Sequence, residues 1–157
     1  MRTGQLLGIA LATTLMPSAL YAQNILKKPL EKLKTLGILI ENVSQNAQAC
    51  GITKDGMETS LRFIVRQSGI QIARSPDSRD AKDGFIYLAV AALENCTTSV
   101  SLEVASLANI EATGRSVTAT IWERHGVRVG GNANANTKAM VEAFAKQLAD
   151  DWSSANK

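Results

Sequence analysis

The sequence is poor in the residues that most often carry chemistry. It holds one histidine and two cysteines in 157 residues, and its aromatics are two tryptophans, two tyrosines and three phenylalanines. No set of His, Cys, Asp and Glu falls at metal-ligand spacing. No serine stands in the glycine-serine-glycine pattern of a nucleophile elbow. Gly130-Gly131 precedes a helical stretch, but no Gly-Lys-Ser/Thr follows to close a phosphate loop. No metal and no cofactor are therefore expected. An excess of one charge is missing too: 17 basic residues stand against 14 acidic ones. That balance is too even for a nucleic-acid binder.

What is present begins with an address. Arg2, the apolar run Leu6 to Leu15 and the small residue ending Ala19-Leu20-Tyr21-Ala22 form the three parts of a signal peptide over residues 1–22. The segment is too short to span a bilayer. The chain that remains, about 135 residues, fits one domain that can bury its own core. Residues 23–34 form a basic lead-in with Lys27, Lys28, Lys32 and Lys34, residues 35–153 the single domain, and 154–157 a tail. Cys50 and Cys96 both lie after the cleavage point, and an even pair in an exported chain reads as a disulfide. Closing a loop of about 46 residues contributes about 4 kcal/mol in the chain-entropy model. The protein is accordingly expected in the periplasm or outside the cell.

The clearest local signal is a helix from Lys54 to Ser68. Met57, Leu61, Ile64 and Val65 make one apolar stripe, Thr53 stands at the N-cap, and Gly69 can take the left-handed conformation that stops the helix. Thr35 to Val43 before it is apolar on both faces, which predicts an interior strand, and Ile70 to Arg74 after it a short one. Ser44 to Ala49 reads as a polar connection. Ser75 to Gly84 is a charged loop whose Asp77, Asp80 and Asp83 lack the alternating pattern of a calcium site.

Phe85 to Leu93 is again apolar on both faces, a strand for the sheet centre. Thr97 to Ile110 and Ser116 to Trp122 alternate with period two and are joined by short turns, so the three form an antiparallel meander. His125-Gly126 breaks the pattern before Val127 and Val129. Residues 130–135 read as a flexible link, and a last helix capped by Asn136 or Thr137 carries Val141, Phe144, Leu148 and Trp152. The expected fold is α/β (α+β): a mixed, mostly antiparallel five-stranded sheet with two helices on one face, in the order β-α-β-β-β-β-α. Val100, Leu102, Val104, Val117, Ala119 and Ile121 are the predicted floor under the helices.

The runs Leu39-Ile40-Glu41, Leu61-Arg62, Ser68-Gly69-Ile70, Tyr87-Leu88-Ala89-Val90, Ser101-Leu102-Glu103 and Thr120-Ile121-Trp122 are similar to small exported bacterial domains of unknown function. Their arrangement resembles the N-terminal α/β domain of the Tol-Pal system's propeller protein and related envelope modules, over residues 33–152. The resemblance implies a bacterial periplasm and a role in binding or assembly. It brings no catalytic residues with it.

The candidate surface is the sheet face turned away from the helices. Tyr87, Ser101, Glu103, Thr118, Thr120 and Trp122 are its expected partner-binding residues, with tryptophan on a polar face as the marker. Two aromatics are few for a sugar platform, so an envelope protein or self-association is the expected partner. Two other functions stay open in the sequence. A small hydrolase-type enzyme would use His125 with Glu123 or Glu103. A peripheral membrane protein would make a weak contact with an anionic surface through its basic arm.

Overall fold

The computed structural model describes residues 28–73 and 83–157, so the expected signal segment, Asp77 and Asp80 lie outside the described residues. A 3-10 turn at Lys28–Leu30 leads into β1 (Thr35–Ile40), α1 (Gln45–Ala49), α2 (Lys54–Gln67) and β2 (Gln71–Ile72). Then follow β3 (Phe85–Ala92), β4 (Thr98–Ile110), β5 (Arg115–Arg128) and α3 (Ala133–Ala155). The strands form one sheet in the order β2-β1-β3-β4-β5. β1 runs parallel to both β2 and β3, and β3, β4 and β5 are antiparallel. This is the expected mixed five-stranded sheet, with the two doubly apolar strands, β1 and β3, inside it.

Helices α2 and α3 pack on each other and over the sheet, α3 on β4 and β5, α2 on β1 and β2. The core between them gathers Met57, Leu61 and Val65 of α2, Met140, Val141, Ala145 and Leu148 of α3, and Ile86, Leu88, Val100, Leu102 and Val104 of the sheet. Gly69 stops α2 as its sequence requires, at φ +91°. Thr53 occupies the N-cap position, but its side chain makes no capping bond. From Lys28 on, the described part of the lead-in is held down: Leu30 and Leu33 are buried, and the indole N–H of Trp152 donates to the Leu33 carbonyl at 2.9 Å.

Several local expectations change. Residues 45–49 are a helical turn, because the Ser44 hydroxyl caps it by accepting from the Ala47 N–H. Asp83, expected in a solvated loop, instead accepts from the backbone N–H groups of Lys34 and Thr35 at 2.6 and 2.7 Å, fixing the start of β1. Helix α3 begins at Ala133, where Asn132 accepts from the Ala135 N–H, so the second half of the expected flexible link is helix. His125-Gly126 does not interrupt β5. Gly126 is a glycine for packing: a Cβ there would stand 2.9 Å from Phe144 Cζ and 3.2 Å from Met140 Sδ.

The Cys50–Cys96 disulfide is present, with Cα atoms 5.6 Å apart. It joins the end of α1 to the turn between β3 and β4. A structural disulfide belongs to an oxidising compartment, which agrees with export. Among the described residues, no helix is long and apolar enough to cross a membrane.

Candidate functional site

Strand register decides which of the predicted surface residues share a face. Leu39, Tyr87, Glu103 and Glu123 lie in one row across β1, β3, β4 and β5. Ser101 and Thr120 both donate to the Glu103 carboxylate, at 2.8 and 3.2 Å, so they belong to the same open face. The Glu41 carboxylate lies near the Tyr87 hydroxyl. Desolvation raises the Tyr87 hydroxyl above its ordinary value, and the Glu41 and Glu103 carboxylates push it the same way. Thr118 precedes Thr120 by two residues along the exposed strand. Five of the six predicted surface residues thus fall on one side.

Trp122 does not. It is 1% exposed and lies on the helix side, opposite Val104 in the register. The cause is a β-bulge: Val104 pairs with Trp122, but the next residue, Ala105, pairs with Thr120. Ile121 is the extra residue, and it turns Trp122 over relative to Thr120 and Thr118. The buried indole N–H donates to Asp151 at 2.9 Å, and the Arg124 guanidinium sits 5.1 Å from the ring centroid. Trp122 therefore pins α3 to β5. Tryptophan in an alternating strand signals a contact patch; the bulge that buries it leaves no mark in the sequence.

The predicted helix floor also divides. Val100, Leu102 and Val104 are buried, whereas Val117 is exposed and Ala119 and Ile121 are partly so. The reason is reach. β3 ends its pairing at Phe85 opposite Ala105, so beyond that point, among the described residues, β4 and β5 pair only with each other, with the Ser106 hydroxyl donating to the Asp83 carbonyl where the overhang begins. Residues 106–119 form a two-stranded ribbon past the sheet, with Leu107 72% exposed. From Val104 to Ile110 and from Ser116 to Ile121 neither strand carries a charge. Natural sheets commonly blunt an exposed edge with charge, and these stretches have none.

His125 and Glu123 meet at 3.3 Å on β5, the pair foreseen for an enzymatic reading, with side chains 56% and 61% exposed. Neither residue lines the hollows along α2 and α3 or the one at the end of β3. Among the described residues no cluster of His, Cys, Asp and Glu could hold a metal. The hollow at the end of β3 is shallow and apolar, about 260 Å³, and is lined by Ala91, Leu93, Thr98 and Val127.

No family model matches the chain, and no curated protein matches it. Among solved structures it is similar to PelC, a dodecamer of a single-residue variant from Paraburkholderia phytofirmans, at 17% identity and TM-score 0.45, over 77% of this chain and 88% of that one. It is also similar to a minor lipoprotein from Acinetobacter baumannii, at 17% identity and TM-score 0.33, over 79% of this chain and 93% of that one. Neither is the Tol-Pal propeller protein.

Proposed function

We propose that this protein is a non-catalytic binding or assembly module of the periplasm and cell envelope, acting through a protein–protein surface. The observation that carries the reading is the ribbon of residues 106–119. Its strands are uncharged from Ser106 to Ile110 and from Ser116 to Ala119, apolar and exposed at Leu107, Ile110 and Val117, and among the described residues paired with no third strand. A two-stranded ribbon is at best marginally stable by itself in water. A partner that covers it supplies the missing layer. The open face continues from the ribbon through Thr118 and Thr120 to Ser101, Glu103 and Tyr87, and its hydroxyls and carboxylates suit a polar rim around an apolar centre.

A photo-reactive residue placed at Leu107 tests this in intact cells. The reading predicts discrete protein adducts at Leu107 and none at Ala143, an exposed position on α3. Identical, diffuse labelling at both positions would contradict it.

A further inference from the structure

Resting on that reading, we infer that the partner at β5 is a second copy of this chain, paired antiparallel edge to edge about a two-fold axis at Ala119. Among the described residues β5, 14 residues long, is the outer strand of the sheet, and its outer edge pairs with no further strand. The opposite edge, β2, has only two residues and is blunted by its brevity. Along β5 the two halves differ. Glu123, Arg124, His125 and Arg128 charge the end nearest α3, while Ser116-Val117-Thr118-Ala119-Thr120-Ile121 is free of charge and rich in strand-forming residues. Such a segment on an edge is a template for another strand.

The segment is chemically close to a palindrome, and that identifies the occupant. With the axis at Ala119, Thr118 of one copy meets Thr120 of the other, and Val117 meets Ile121. Threonine pairs and β-branched apolar pairs are among the favourable cross-strand neighbours. Thr118 and Thr120 share the open side, and Val117 shares the helix side with Ala119, so each pair meets on one face of the joined sheet. The seam from Val117 to Ile121 carries no charge; past Ile121 the bulge turns Glu123 to the open side while Arg115 lies on the helix side with Val117, so no ion pair closes its ends. The competing register, with the whole strands overlapped, sets Arg115 against Arg128 at both ends and is disfavoured by like-charge repulsion. The seam is short, well under the roughly 1,200 Å² of a standard interface. The dimer is therefore expected to form in the micromolar range and above, as the chain becomes concentrated.

Sedimentation of the disulfide-bonded mature chain from roughly 1 to 500 μM reads the dimer. Wild type is expected to dimerise reversibly across that range. Ala119→Lys and Ala119→Glu each place two like charges across the axis, and each alone is expected to bind itself roughly tenfold more weakly or worse. Their equimolar mixture is expected to restore the dimer, because only the mixed pair sets Lys opposite Glu. Circular dichroism reports whether each variant is folded. If either is not, Thr118→Lys mixed with Thr120→Glu makes the same test at exposed positions, the mixed dimer being tighter than either parent. A monomeric wild type, undiminished self-association of Ala119→Lys, or a mixture without rescue would overturn the pairing. Adducts at Leu107 to other proteins would then still stand for the broader reading, whereas their absence from a protein that does dimerise in vitro would count against that reading alone.

Discussion

From Thr98 to Ala105, β4 runs between β3 and β5 with α3 across it; from Ser106 to Ile110, among the described residues, it pairs with β5 alone, and only Ser106 reaches beyond that strand, donating to the Asp83 carbonyl at 2.7 Å. The first half alternates polar and apolar residues with period two, whereas in the second Leu107 lies on the open face and Ile110 on the helix side; both halves belong to the same hairpin. Yet Val100, Leu102 and Val104 are buried, and Leu107 and Ile110 are exposed. The difference teaches that a period of two reports a strand with two unlike faces. It does not report whether anything lies over the apolar one.

Substitution by alanine should break the likeness most visibly. Leu102→Ala removes a side chain that is fully buried and is expected to cost about 2 to 5 kcal/mol of unfolding free energy. Leu107→Ala, at 72% exposure, is expected to stay within about 0.5 kcal/mol in the monomer. Urea denaturation at low protein concentration separates the two. Comparable losses would mean that the ribbon is packed in the monomer.

Overfilling the covered half should act next. Gly126→Ala puts a methyl 2.9 Å from Phe144 Cζ and is expected to cost about 1 to 3 kcal/mol, seen as a lowered melting temperature. Gly114→Ala, at the ribbon turn, has open space around it, and its smaller cost comes from a φ of +63° alone. A Gly114→Ala loss larger than that of Gly126→Ala would reverse the assigned roles.

Trp122→Phe keeps an aromatic ring in the covered half while removing its N–H, and leaves Asp151 without that donor. A loss of about 1 to 2 kcal/mol is expected in denaturation, with the ribbon's partner adducts unchanged. If Trp122 were instead part of the contact surface, adducts at Leu107 would weaken while stability held.

These contrasts also mark how far the sequence can be read. The strands, the stop at Gly69, the disulfide partners and the two-helix layer follow from apolar spacing, a glycine and cysteine parity. Ile121 gives no warning, because a bulge residue in a β-prone run looks like any other. It carries Trp122 from the open face into the core. The overhang gives none either, since where β3 stops relative to β4 is a matter of register. Asn132, Asn134 and Asn136 are all competent caps, and the first of them caps the helix. Gly126 reads as a break because a glycine chosen for close packing and one chosen for a turn are the same letter. The open-face residues Tyr87, Ser101, Glu103, Thr118 and Thr120 are legible because they lie in phase with the hydroxyl-rich alternation.

The smallest expected effect concerns Tyr87, on the open face. Its hydroxyl is raised above the ordinary 10.0, so from about pH 10 upward the unfolded chain loses this proton before the folded one does. Stability should then fall with rising pH through that window, and Tyr87→Phe should flatten this part of the profile. An unchanged slope in Tyr87→Phe would place its cause elsewhere, in the lysines.

Hydrogen exchange of the backbone amides tests the central contrast most directly, comparing residues 106–119 with Thr98–Ala105 and Trp122–Arg128 at low and high protein concentration. The covered half should be protected at both concentrations. The ribbon should exchange quickly in dilute solution and gain protection as copies pair along β5. A ribbon as protected as the covered half in dilute monomer would contradict the account.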